Sequence, residues 1–285
     1  RAHGRVFTLI PEDITGDGRV DIEDLRWEYL QGDGDFRSPE VTQLRDQADI
    51  IITNGPFSLF RDLIAWLLDG KVAFSVIGNV NALTYKEVFP AIRADLLWLG
   101  PSISSGDREF RVPDSYPLVA AGSRVADDGT RYIKVKGVRW FTNIEHGRRH
   151  EPLQLMTMQD NIRFSKHKEV RGVGYRSYDN YDALDVPFTD AIPSDYDGVM
   201  GVPITFLDKF NPDQFEILGI AKAPLGVPSK MYPRQTQVDA KGVRSQVMKL
   251  NDAPALRVDV PPQEKTHYLV GDEIYVAVYA RILIR

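Results

Sequence analysis

Residues 48–68 constrain the fold of this chain more than any other stretch. The apolar run at residues 48–53 predicts a buried strand, and residues 58–68 predict the helix that follows it. Only Asn54-Gly55-Pro56-Phe57 lies between them, so the chain must turn tightly there. A second strand is predicted at residues 72–77. Strands that alternate with helices at this spacing predict an α/β fold with a parallel sheet.

The turn at residues 54–57 is the main candidate for chemistry, because it is typical of enzymes that methylate an amine of a nucleic-acid base. Such an amine is a poor nucleophile, since its lone pair is delocalised into the ring. The side-chain oxygen of Asn54 and the main-chain carbonyl of Gly55 can accept hydrogen bonds from the amine as it attacks a methyl group. Phe57 can stack on a base that has left the duplex. The alternative is an ordinary strand-ending turn, in which Asn, Gly and Pro are common.

Gly55 departs from the usual form of this turn, which carries proline at the second position. The carbonyl that would accept the hydrogen bond remains with glycine. The ring that holds φ near −65° is lost, and glycine populates many more backbone states. We therefore expect a looser pair of acceptors and slower chemistry.

Composition narrows the classes of function. The 285 residues carry a formal net charge of −5 and contain no cysteine. Disulfides, thiolate zinc sites and cysteine nucleophiles are therefore excluded. The longest apolar runs are shorter than the roughly 20 residues that span a bilayer, so we expect no membrane segment and a cytoplasmic protein.

An acidic chain can contact DNA only through local basic patches. The candidates surround a predicted β segment that contains Trp140 and Phe141, where phosphate contacts fit the clustering of positive charge. They are Lys134, Lys136, Arg139, Arg148 and Arg149. The alternative is a solvated charged face.

An acidic loop near the start has the ligand spacing of an EF-hand-like calcium site. Its ligands would be Asp13, Thr15, Asp17, Arg19 through its main chain, Asp21 and Asp24. A calcium-dependent interaction module is one hypothesis for this loop, and an acidic turn that binds no metal is the other.

The segment at residues 32–38 could hold a nucleoside, with Asp35 accepting from an amine and Phe36 covering a ring. The alternative is an ordinary loop. We also predict helices over 22–30 and 39–47, a helix from Thr84 to Ala94 with Glu87 in its capping box, and one strand over 273–285. The composition changes near residue 150, which predicts a boundary between residues 1–150 and 151–285.

Several longer strings resemble one known family, the adenine-specific DNA methyltransferases related to the EcoRI modification enzyme. They occupy residues 32–38, 49–60, 77–90, 140–143, 148–151, 178–183, 195–209 and 279–284. The resemblance covers most of the chain and is far more specific than any single motif.

The resemblance implies an S-adenosylmethionine-dependent enzyme that methylates adenine in double-stranded DNA, in restriction–modification or phage-type modification. It implies a Rossmann-like sheet in residues 1–150 and an α+β or β-rich target-recognition region in residues 151–285. It assigns residues 54–57 to catalysis and places Asp35 and Phe36 near the adenine of the cofactor. The family's N-terminal part, with the first strands and the turn for the cofactor's methionine moiety, is absent before Arg1, so we expect an incomplete sheet. A DNA-binding relative with weak or no activity is the alternative.

Overall fold

The protein was analysed as a computed structural model that describes residues 3–101, 108–119 and 122–285. The helices of this part are α1 (Pro39–Gln47), α2 (Phe60–Asp69), α3 (Phe89–Arg93) and α4 (Met158–Phe164). The strands before residue 150 are β1 (Arg5–Thr8), β2 (Arg26–Tyr29), β3 (Ile50–Thr53), β4 (Ala73–Asn79), β5 (Trp98–Leu99), β6 (Arg108–Val112), β7 (Arg124–Val125), β8 (Arg131–Val135) and β9 (Val138–Thr142). The later strands are β10 (Arg176–Ser177), β11 (Leu184–Asp185), β12 (Met200–Pro203), β13 (Ile217–Ala221), β14 (Gln235–Val238), β15 (Arg244–Val247), β16 (Ala255–Val258), β17 (His267–Val270), β18 (Glu273–Ala277) and β19 (Arg281–Ile284).

A central sheet with the order β3-β4-β9-β5 organises the first half of the chain. β3 and β4 are parallel, with Thr53 opposite Val76, and β9 is antiparallel to both β4 and β5. The carboxyl ends of β3, β4 and β5 therefore share one edge with the start of β9. We call this the carboxyl edge. The expected α/β class is confirmed.

One face of the central sheet is covered, and the other is open at the edge strand β3. Leu63, Ile64 and Leu67 of α2 recur at helical spacing and pack with β4 in a buried cluster, which also contains Phe141 of β9. On the opposite face the side chains of Ile50 and Ile52 are 54% and 71% exposed. Sheets with parallel strands are normally covered on both faces, so this open face is unusual.

Two smaller sheets stand away from this core. β1 pairs with β2 as a ribbon whose side chains are mostly exposed. β6, β8 and β7 form a three-stranded sheet that we call the β arm. Among its described residues, none belongs to a buried hydrophobic cluster.

The second half of the chain is rich in β structure, as predicted. Its sheets have the orders β10-β11-β12-β19-β13 and β15-β14-β17-β18-β16. The buried cluster that contains α2 also includes Val202 and Ile282, so apolar packing is continuous across residue 150. The boundary at residue 150 stays a prediction. No helix in the described part of the chain is long and apolar enough to cross a membrane.

Three predicted elements are wrong in extent or type. Residues 22–30 form a 3-10 turn, Ile22–Asp24, and then β2, because the alternating residues of β2 pair with β1. The helix predicted from Thr84 begins only at Phe89. Proline fits the first turn of a helix but not its interior, so Pro90 places that first turn at residues 89–90. The segment 273–285 divides into β18 and β19, which lie in different sheets.

Candidate active site

The Asn54 turn, residues 54–57, lies at the carboxyl edge directly after β3. Asn54 is exposed, and among the described residues its side chain has no hydrogen-bond partner. Phe57 is 41% exposed, so part of the residue is open to solvent beside Asn54. Pro56, with φ −65° and ψ 127°, sets the chain direction before a 3-10 turn leads into α2. The turn therefore presents an amide and an aromatic ring that are not used in packing.

Gly55 makes a close approach to the helix that follows it. A Cβ atom at this position would lie 2.6 Å from Cδ2 of Leu63, a buried residue of α2. Gly55 does not have a positive φ, so its backbone would accept an L residue. The obstacle to a side chain at position 55 is therefore the end of one leucine.

Asp35 is held as a carboxylate by its neighbour Arg37. The guanidinium donates from Nε to Oδ1 at 3.0 Å and from Nη2 to Oδ2 at 2.7 Å. These charge-assisted hydrogen bonds lower the pKa of Asp35 to about 2. Arg37 also donates to Asp62 in the first turn of α2, at 3.3 Å. The Asp35 loop is thus tied to the helix that begins at the Asn54 turn.

Phe36 makes a second link to the same helix. Its ring meets the Trp66 ring of α2 edge to face, with 5.5 Å between centroids. Trp66 is itself fixed by a 3.1 Å hydrogen bond from Nε1 to Thr42 of α1. Two of the predicted regions, residues 35–36 and 54–57, therefore flank one helix.

Arg139 lies inside the protein, not on its surface. Its side chain is 6% exposed and binds Asp208 through two parallel hydrogen bonds of 2.7 Å and 3.0 Å. A guanidinium in this position cannot reach a phosphate, so we remove Arg139 from the predicted DNA-binding set.

Arg149 is also a structural residue. Its side chain is 5% exposed, pairs with Asp95 and Glu145, and lies 3.9 Å from the centroid of the Trp98 ring. Lys134, Lys136 and Arg148 are exposed, although Arg148 donates to the main-chain carbonyl of Pro101 at 2.6 Å. The predicted basic patch is therefore reduced to these three residues.

The calcium prediction gains no support. The carboxylate of Asp13 accepts from the backbone N–H groups of Gly16 and Gly18, and that of Asp24 accepts from Ile14 and Asp21. These backbone bonds lower the pKa of Asp24. Within residues 3–101, 108–119 and 122–285, no group of three or more acidic or histidine side chains could hold a metal ion. The other predicted ligands are exposed, namely Thr15, Asp17, Arg19 and Asp21.

Sequence reasoning missed two contacts at the carboxyl edge. Lys222 of the second half donates to Thr84, just after β4, at 2.7 Å. Arg61 of α2 lies 4.5 Å from the Tyr85 ring centroid. Neither contact has a sequence signal, since the first joins residues 138 positions apart and the second depends on the path of the chain after β4.

Comparison with known proteins now decides the family. Residues 4–285 match the family model described as "Adenine-specific methyltransferase EcoRI". The chain belongs to this family.

Two curated proteins share substantial identity with the chain. The Type II methyltransferase M.EcoRI of Escherichia coli is 42% identical over 201 residues, which are 70% of this chain and 59% of that protein. The Type II methyltransferase M.MpnI of Mycoplasma pneumoniae is 34% identical over 221 residues, 75% of this chain and 66% of that protein. The chain thus spans less than two thirds of the length of either relative. No solved structure gives a significant match.

Proposed function

We propose that this chain is part of an S-adenosylmethionine-dependent enzyme that methylates the exocyclic amine of adenine in double-stranded DNA. The observation that carries the proposal is the Asn54 turn, in which an unpaired amide and an exposed aromatic ring lie at the carboxyl edge of parallel strands. Ligands of open α/β sheets bind beyond this edge. Membership of the EcoRI methyltransferase family supports the same reaction.

The proposed mechanism uses the Asn54 turn to hold a flipped base. The ring of Phe57 stacks on the base, and the amine donates one hydrogen bond to the Asn54 side-chain oxygen and one to the Gly55 carbonyl. Both bonds favour a tetrahedral nitrogen, so they strengthen as the amine becomes a nucleophile. S-adenosylmethionine supplies the electrophilic methyl group when it is bound.

Asp35 and Phe36 fit the adenine end of such a cofactor. Oδ2 of Asp35 accepts one hydrogen bond from Arg37 and keeps a lone pair for an exocyclic amine. Phe36 is half-buried against Trp66 and presents an apolar surface beside it. We therefore assign these residues to cofactor binding.

We further propose that the central sheet is part of a Rossmann-like sheet in residues 1–150. β3 is an edge strand, and the open face beside it would receive the remaining elements. Residues 151–285 would then carry target recognition. A restriction–modification or phage-type role in the cytoplasm follows from this reaction.

Replacing Asn54 tests the proposal. In the full-length protein, Asn54→Ala should lower the rate of methyl transfer to adenine roughly 100-fold or more, because a preorganised polar group at the reacting atom is lost. Asn81→Ala is the matched control, since Asn81 is an exposed asparagine just after the neighbouring strand β4. Equal activity of Asn54→Ala and wild type would refute the proposed mechanism.

Gly55 favours a second candidate, a DNA-binding relative with weak or no activity. Gly55→Pro separates the two, because proline fixes the acceptor carbonyl. An enzyme should transfer methyl groups faster after this change, and an inactive relative should gain nothing. In the double variant Gly55→Pro/Leu63→Val, valine shortens the side chain that a proline at position 55 would contact. An active enzyme should show the faster methyl transfer in this variant as well.

A further inference from the structure

The β arm begins and ends at the carboxyl edge of the central sheet. The chain enters the arm after β5 and returns from it into β9, and Gly100 donates to the Trp140 carbonyl at 2.9 Å where the two segments meet. The arm is an insertion between the neighbouring strands β5 and β9, so its returning end joins the same edge of the sheet as the Asn54 turn.

The returning end of the arm is also tied to β4. Nδ2 of Asn79 donates to the Lys136 carbonyl at 2.9 Å, and the N–H of Val80 donates to the Gly137 carbonyl at 2.6 Å. β4 is the neighbour of β3, which carries the Asn54 turn. The base of the arm is therefore two strands away from that turn, a lateral spacing of about 10 Å across the sheet.

The arm is basic in an acidic chain. Residues 108–136 contain six basic and four acidic side chains, a net charge of +2, whereas the whole chain carries −5. Strand register places one group of side chains on a common face, which we call the basic face: Glu109, Arg111, Arg124, Tyr132 and Lys134.

The members of the basic face differ in how they are held. Arg124 is paired with Glu109 and lies 4.4 Å from the Tyr132 ring centroid. Arg111 is exposed, and its guanidinium has no hydrogen bond or ion pair with a described residue. Arg108 is equally exposed but belongs to the opposite face, beside Phe110 and Val112.

We propose that the basic face of the β arm binds the phosphate backbone of duplex DNA beside the target base. The inference rests on the proposed function for the identity of the polyanion. Strands can lie along a DNA groove, and arginine and lysine side chains supply the phosphate contacts that fix register. A duplex whose flipped base reaches the Asn54 turn must pass the base of the arm. The arm thus positions the duplex, while the Asn54 turn holds the base.

Fluorescence anisotropy with a labelled mixed-sequence duplex tests the proposal on the full-length protein. Arg111→Gln should weaken binding by roughly tenfold at low salt, and the slope of log Kd against log salt should fall by about 1, because one phosphate contact is lost. Arg26→Gln, an exposed strand arginine of the β1–β2 ribbon, should leave Kd unchanged. Arg108→Gln should weaken binding less than Arg111→Gln.

Two results would overturn the inference. One is wild-type affinity and salt dependence in Arg111→Gln, and the other is an equal loss in Arg108→Gln, which would remove the assignment to the basic face.

Methyl transfer separates this inference from the proposed function. Arg111→Gln should raise KM for DNA and leave kcat unchanged. If the wild type binds DNA through Arg111 but transfers no methyl, only the proposed function fails. If it methylates DNA and Arg111→Gln behaves like it, only the arm assignment fails.

Discussion

At the scale of single residues, Arg37 holds Asp35 of the candidate site in its charged form by lowering the pKa of its carboxyl group. Its carboxylate receives two hydrogen bonds from the Arg37 side chain and one from the Arg37 main chain. The Arg37 guanidinium also donates a hydrogen bond to Asp62. It therefore keeps Asp35 charged and at the same time links the Asp35 loop to α2. A cofactor amine would therefore meet a negatively charged oxygen across the whole physiological pH range.

Arg37→Gln should raise the pKa of Asp35 from about 2 toward its usual value of 3.8. Because the folded-state pKa lies below the unfolded one, Asp35 stabilises the fold above pH 3.8 and loses this contribution as the pH falls toward 2. Titration of the side-chain carboxyl carbon by NMR measures the shift. Arg61→Gln, which alters an exposed arginine of α2 that makes no contact with Asp35, should leave the titration unchanged. An unshifted Asp35 midpoint in Arg37→Gln would contradict the assignment.

At the scale of elements, the Arg139–Asp208 pair joins β9 to the 3-10 segment Ile204–Lys209. The pair has nearly the same bidentate geometry as Arg124–Glu109 in the arm, but its side chains are 6% and 11% exposed, against 51% and 39%. Burial is therefore what distinguishes the two pairs. A buried charge that loses its partner is costly, whereas an exposed one is solvated.

Asp208→Ala should lower the free energy of unfolding by about 3 kcal/mol, since it removes the carboxylate that accepts two hydrogen bonds from the buried Arg139 guanidinium. Arg139→Met/Asp208→Leu should restore much of this loss, because no buried charge remains. Glu109→Ala removes the exposed counterpart and should lower the free energy of unfolding far less. Denaturant unfolding measures all three, and equal losses in Asp208→Ala and Glu109→Ala would refute the distinction.

The elements show which parts of the fold could be predicted from the sequence. The sequence predicts α1 with the bounds that the structure shows, because Pro39 is typical of the first turn of a helix. It predicts a helix where β2 lies, because the pairing of β2 with β1 joins residues far apart in the chain. The Asn54 turn can be predicted from the sequence, because its strand, turn and helix follow one another directly along the chain. The burial of Arg139 cannot, since its partner lies 69 residues away.

At the scale of the whole molecule, the edge strand β3 leaves an apolar surface open. Ile50 and Ile52 are 54% and 71% exposed, on the face opposite the one that α2 covers. Large exposed apolar patches on folded proteins bind partners or cause aggregation. In the proposed enzyme the remaining strands of the Rossmann-like sheet would pair with the edge of β3, and the segments that connect them would cover Ile50 and Ile52.

A fluorescent dye that binds apolar surfaces should therefore bind the chain of residues 1–285 strongly. Ile52→Gln should reduce the signal and raise solubility without unfolding the protein, because Ile52 is 71% exposed. Leu44→Gln, a change at a single exposed leucine of α1, should have little effect. An unchanged signal in Ile52→Gln would show that the dye binds elsewhere.

The adjacent ends of the β arm have a consequence for how such enzymes diversify. Gly100 and Trp140 are hydrogen-bonded neighbours, so residues 101–136 can be exchanged without moving the strands on either side. The affinity for the DNA backbone can then change by exchange of this one segment, while Asn54 and its supporting helix are inherited intact. A chimaera that takes residues 101–136 from a relative would keep its chemistry and change its affinity for DNA and the salt dependence of binding.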